Sequence, residues 1–328
     1  MTALGVSLLR GAVTSPFKRA GGPGVTLPTG RAVLPAAPTA PAPLAAYRTL
    51  CGFTDPETLP LTYPHVLGFP LAMRLMTERS FPLPVLGLVH TWIEITAHRP
   101  PRPEDGLELT VYAAELTPHR RGTEVTMVTE ARCAGETVWE SRSGYLSRHA
   151  AAGATGGTAA RSRGATVRAG APAVAAETAP PGAPAAGAGL PAVAEWRLPG
   201  DLGRRYGAVS GDRNPIHLHP LTARLFGFPR HLAHGMWTVA RCLAEAETGA
   251  GPRTGTGTGA WAETGTGADA RPETGTGARD RARIRSVRAE FKAPVLLPAT
   301  VTYAAAGDAF LLRGGDRVHL TGTVVRER

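Results

Sequence analysis

Asp212, Asn214 and His217 fall close together in Tyr206-Gly-Ala-Val-Ser-Gly-Asp-Arg-Asn-Pro-Ile-His217, and Ala233-His-Gly-Met236 follows soon after. Ser210-Gly211-Asp212 reads as a turn, and Asn214-Pro215 is a second turn signal. Irregular backbone of this kind can aim a carboxylate and an imidazole into one space. There the two make an acid/base pair, each holding one side of a water molecule and each tuning the pKa of the other. His234-Gly235 opens an apolar run with helical character. A glycine at that point lets a ligand approach the backbone closely. Its N–H sits at a helix N-terminus, where unpaired donors and the dipole favour developing negative charge, as an oxyanion hole requires.

Two other readings stay open on these residues alone. Asp212 and Asn214 could simply cap turns, with His217 a packed or surface histidine. His217, His219, His231 and His234 are also near neighbours in sequence, and a zinc site would need three or four of them to converge. The glycines and prolines between them leave no regular ligand spacing, so no metal or cofactor is expected.

The elements that must carry these residues can be read along the chain. Residues 1–25 read as a flexible tail and 26–149 as a first globular segment. In it, Leu109-Thr-Val-Tyr-Ala-Ala-Glu-Leu and Thr123-Glu-Val-Thr-Met-Val-Thr-Glu-Ala-Arg alternate as strands do. Pro64–Glu78 reads as an apolar helix, kinked or begun at Pro70. Residues 150–189, rich in Ala, Gly, Pro and Thr, lack the large apolar side chains that could offset the entropy of ordering, and read as a disordered linker. Residues 190–328 form a second globular segment, with an apolar helix over Ala233–Glu247 and strands at Ala299–Tyr303 and Val318–Val325. A Thr-Gly-rich insertion at 248–280 has no GK[ST] and no strand–turn–helix context, so it is not a phosphate-binding loop. The decamers Tyr47–Pro56 and Tyr206–Pro215 match in register at tyrosine, glycine and proline, which points to an internal duplication.

The run SGDRNPIH, followed by ARLFGFPRHLAHGM, resembles the signature of MaoC-type (R)-specific enoyl-thioester hydratases. LTYPHVLGFPLAMRLM, FPLPVLGLVHTWIEITAHRP and FKAPVLLPATV are similar to actinobacterial double hot-dog 3-hydroxyacyl-thioester dehydratases. The resemblance implies an α+β fold of two tandem hot-dog domains, each an antiparallel sheet wrapped on a central helix. It implies that Asp212 and His217 are the catalytic pair, that Asn214 supports them and that the Gly235 N–H stabilises an enolate oxygen. It further implies hydration of trans-2-enoyl thioesters and dehydration of (R)-3-hydroxyacyl thioesters linked to coenzyme A or an acyl-carrier protein. Relatives often carry Asp where this chain has His219. In the N-terminal half, Phe53 stands in the place of Asp212 and Thr58 in that of His217, so that half is expected to be non-catalytic. The alternatives within the same fold are an acyl thioesterase and a non-catalytic acyl-thioester-binding protein.

Composition narrows the partners. The 328 residues carry a net charge of +10, almost all of it arginine, since lysine occurs only at Lys18 and Lys292. With the excess of arginine, alanine, glycine and proline, that surplus reads first as compositional drift from a GC-rich coding bias, and otherwise as attraction to a phosphorylated partner such as coenzyme A or an acidic carrier protein. No dense basic run interleaved with aromatics appears, so nucleic acid is not expected. Cys51, Cys133 and Cys242 are far apart and make neither a disulfide framework nor a thiolate metal site, which fits a reducing cytoplasm. No run approaches the roughly 20 apolar residues of a membrane span. A homodimer is compatible with the sequence.

Overall fold

The apolar periods along the chain sort into ten strands and six helices in a computed structural model that describes residues 26–85, 87–149, 189–248 and 283–327. The tail at 1–25, nearly all of the 150–189 linker and the 248–280 insertion lie outside the described residues. The first half runs β1 (Ala32–Leu34), α1 (Pro41–Cys51), α2 (Tyr63–Thr77), β2 (Val89–Ala97), β3 (Glu108–His119), β4 (Gly122–Cys133) and β5 (Glu136–Arg148). The second runs β6 (Ala192–Leu198), α3 (Leu202–Ser210), α4 (Pro215–Leu218), α5 (Pro220–Leu225), α6 (Gly235–Thr248), β7 (Ile284–Phe291), β8 (Ala299–Ala306), β9 (Ala309–Gly314) and β10 (Arg317–Arg326).

All ten strands form one antiparallel sheet in the order β1-β3-β4-β5-β2-β7-β10-β9-β8-β6. Matching β1 with β6, β2 with β7, β3 with β8, β4 with β9 and β5 with β10 turns one half of that order into the reverse of the other. This is the arrangement a duplicated hot dog produces when its two copies join edge to edge. The join is the β2–β7 pair, where Glu94 is opposite Arg288 and the two side chains meet at 2.9 Å.

Each half holds one long buried helix, α2 and α6. Eleven of the fifteen residues of α2 are buried. The helix runs without interruption from Tyr63 to Thr77 with Pro70 inside it, so of the two alternatives read from sequence it does not begin at Pro70. Pro70 lies on the exposed side. There a helix bows outward and water can satisfy the freed carbonyl, so the missing hydrogen bond is tolerated while both neighbouring turns stay packed. In α6, Trp237, Val239, Ala240, Cys242, Leu243 and Ala244 are buried at helical spacing.

The decamer match is structural as well. Gly52 ends α1 at φ +87° and Gly211 ends α3 at φ +77°, both in the left-handed region that favours glycine. Tyr47 and Tyr206 meet with ring centroids 6.2 Å apart, and Trp237 donates from its indole N–H to Leu50 O at 3.2 Å. The two halves thus share one core.

Candidate active site

Beyond α3 the chain turns back on the helix it has just left. A Cβ on Gly203 would stand 1.9 Å from His217 O, and one on Gly207 would stand 2.8 Å from Asp212 O. Only hydrogen at these two positions, one helical turn apart, lets the 211–217 segment lie against α3. Ser210 Oγ accepts from Asp212 N at 3.1 Å, and Asp212 Oδ1 accepts from Asn214 N at 3.1 Å, making an Asx turn. Asn214 Oδ1 in turn accepts from Ile216 N at 3.4 Å and caps α4, with Pro215 in its first turn. Asn214 thus shapes the loop that carries Asp212 and His217.

The second segment is pinned from the opposite side. Leu232 N donates to Ile216 O at 3.1 Å, Ala233 N to Val295 O at 2.9 Å, and Leu297 N to His231 O at 2.9 Å. This places His234 and the first turn of α6 over the Asp212 loop. Gly235 is the first residue of α6, so its N–H has no acceptor within the helix. A Cβ there would meet Phe291 Cε1 at 2.9 Å, which accounts for glycine at the position.

Asp212, His217 and His234 converge, each offering an atom within 4.8 Å of the others. The imidazoles of His217 and His234 stack with centroids 3.8 Å apart. His217 Nδ1 lies 3.0 Å from Leu232 O. A carbonyl only accepts, so Nδ1 carries the proton and Nε2 presents a lone pair. His234 Nε2 likewise donates to Asp212 O at 3.0 Å and lies 3.8 Å from Asp212 Oδ2. Burial pushes the Asp212 pKa up, against a smaller downward pull from His217. Burial also pushes the His217 pKa down, opposed by Asp212, and His234 is held well below the usual imidazole value for the same reason. The Asp212 side chain remains 23 % exposed, enough for a small molecule to reach it, whereas His234 is 2 % exposed.

The same three side chains would also suffice as the protein ligands of a catalytic metal ion. The other two histidines considered from sequence do not join them. His231 donates Nε2 to Gly200 O. His219 is exposed and its Nδ1 accepts from Leu221 N at 3.2 Å, capping α5. An aspartate would cap equally well, so this departure from the family pattern leaves the pair untouched.

From sequence, His234 was weighed only as one of four neighbouring histidines that could hold a metal, and not as a partner of Asp212 and His217. Tyr145 and His90 were missed too, because they belong to the N-terminal half. Tyr145 stacks on His90, which packs on the Phe291 ring lying against Gly235, so strand β5 comes close to the site, and burial and then the Asp212 charge raise the Tyr145 pKa. At the corresponding place in the N-terminal half the groups differ. Phe53 is buried and stacks on Tyr47, while Thr58 donates to Asp55 Oδ2 at 2.6 Å. Both line a cavity of about 260 Å³, but neither can exchange a proton as Asp212 or His217 can.

Residues 194–263 match the MaoC like domain family. The chain is 33% identical over 293 residues to 3-hydroxyacyl-thioester dehydratase X of Mycobacterium tuberculosis, covering 88% of this chain and 86% of that one. The chain belongs to the MaoC-like dehydratases. It is a hydro-lyase by that membership. A crystal structure of HtdX from Mycobacterium tuberculosis superposes with a TM-score of 0.64 at 29% identity, over 91% of this chain and 100% of that one. The MaoC-like dehydratase of Phytophthora capsici shares the fold at 16% identity, with a TM-score of 0.56 over 93% of this chain and 96% of that one. Among the described residues of this MaoC-like protein, no helix is long and apolar enough to cross a membrane.

Proposed function

We propose that the protein interconverts (R)-3-hydroxyacyl and trans-2-enoyl thioesters, carried on coenzyme A or an acyl-carrier protein, at a single site in its C-terminal half. The observation that carries this is the convergence of Asp212 and His217 within 4.8 Å beside the first turn of α6. One water with two hydrogen bonds of about 2.8 Å spans such a gap. In hydration, His217 Nε2 accepts a proton from that water as its oxygen bonds to C3. The C2–C3 π electrons move toward the thioester carbonyl, whose oxygen takes the charge and is met by the Gly235 N–H. Asp212, whose raised pKa favours its protonated form, delivers a proton to C2, and the imidazolium returns a proton to the carboxylate. Dehydration runs the same steps backward. This division of roles is supported by the His217 tautomer and by the opposite directions in which burial moves the two pKa values.

Crotonyl-CoA separates this activity from thioester hydrolysis. Hydration removes the enoyl absorbance and releases no free thiol. Thiol release in step with substrate loss would replace this proposal with a thioesterase.

A further inference from the structure

The interior of the N-terminal half next to the site is polar where a hydrocarbon pocket would be aliphatic. Phe291, whose ring lies against Gly235, packs on His90 with centroids 4.6 Å apart. On its other side His90 stacks on Tyr145, again at 4.6 Å, and it lies 6.3 Å from His65. His65 Nδ1 lies 3.1 Å from Ser141 Oγ. Ser141, Ser143 and Tyr145 alternate along β5 and are all buried, and Thr129 is opposite Ser141 in β4. A continuous line of polar and aromatic side chains therefore runs from α6 to beneath α2.

Two features of this line point to a ligand. His65 Nε2 and His90 Nε2 are buried and have no hydrogen-bond partner among the described residues. Leaving such a nitrogen unsatisfied is destabilising, and two neighbouring ones are hard to explain as packing. Both imidazoles are neutral, because burial lowers the pKa of His65 to about 4 and that of His90 to about 3. A neutral imidazole carries one donor and one acceptor nitrogen, which suits an uncharged hydrogen-bonding group.

We propose that His65 and His90 read a hydroxyl or keto oxygen on the acyl chain, so that the enzyme prefers oxygen-bearing acyl thioesters over plain alkyl ones. This rests on the activity proposed above and names its substrate class. The test is kcat/KM for trans-2-octenoyl-CoA against its hydroxy derivatives substituted at successive carbons. At least one derivative should be favoured by roughly tenfold, the worth of one such hydrogen bond. In His65→Leu and His90→Leu that ratio should fall toward one, while His65→Gln, which retains a hydrogen-bonding end, should keep part of it. If a Leu variant fails to fold, the wild-type and His65→Gln ratios decide.

Calorimetric binding of the matching unreactive thioether analogues reads the same preference without turnover. A protein that discriminates in binding but hydrates nothing would sink the proposed activity and leave this inference standing. A protein that hydrates the plain chain as well as every hydroxylated one would overturn the inference alone, and the two nitrogens would then be satisfied by buried water. A preference unchanged in both Leu variants would overturn it equally.

Discussion

His217 shows how position within a residue matters as much as residue type. Its Nδ1 is committed to Leu232 O, so on the proposed mechanism the reactive nitrogen is Nε2 and the active form is the neutral ring. Burial favours that neutral form, moving the pKa below the ordinary imidazole value. Lowering the pH must therefore pass below that value before the ring is protonated and lost as a base. The acidic limb of kcat/KM against pH should accordingly have its midpoint below about 6.5, the unperturbed imidazole pKa. A midpoint at or above that value would mean that Asp212 dominates the pair and favours imidazolium. At this scale much was legible in sequence. Asp212, Asn214, His217 and Gly235 are all at or beside the site. The tautomer and the part played by His234 were not, because both depend on carbonyls brought in by the chain at Leu232 and by the Asp212 loop.

At the scale of elements, the site depends on how tightly the 211–217 loop lies on α3. Gly203 is the tightest point, since a methyl there would run into the carbonyl of His217 itself. Gly203→Ala should displace α4, cost about 1–3 kcal/mol in stability as overpacking does, and lower kcat by tenfold or more. Gly200→Ala is the control, since a Cβ at Gly200 meets nothing within 4 Å. Thermal denaturation and steady-state rates of the two variants check this, and a Gly203→Ala enzyme with unchanged rate would show that the loop has slack. Sequence alone identified the helices and the longer strands, because apolar periodicity survives in single segments. It left open whether the helix begins at Pro70, since whether a proline is tolerated depends on which side of the helix meets solvent. That side is set by packing against β3 and β4 rather than by the local residues.

For the whole molecule, the two halves are similar, but one has Asp212 and His217 where the other has Phe53 and Thr58. The matched decamers made this visible from sequence, down to the paired left-handed glycines at 52 and 211. The reach of the N-terminal half into the site was not visible. It arises from the β2–β7 junction, a pairing between residues nearly two hundred apart in the chain, which brings His90 and Tyr145 beside Phe291. On the proposed function the two halves have unequal roles, one holding the chemistry and the other lining it. Thr58→Ala should consequently leave kcat within about twofold of wild type, since Thr58 occupies the His217 position but its hydroxyl hydrogen-bonds Asp55 and Arg283. A loss of tenfold or more in a folded Thr58→Ala protein would mean that the N-terminal half is catalytic as well.

The most direct measurement is the steady-state hydration rate of Asp212→Asn, His217→Asn and the double variant, with circular dichroism to confirm folding. Asparagine keeps approximate size and hydrogen bonding and removes only the titratable group, and it caps turns about as well as aspartate. Each single variant should lose at least about a hundredfold in kcat, the lower bound for positioned acid/base catalysis. The double variant should be hardly slower than either single one, because both groups act on one water. A folded Asp212→Asn protein retaining more than about a tenth of the wild-type rate would contradict the assignment.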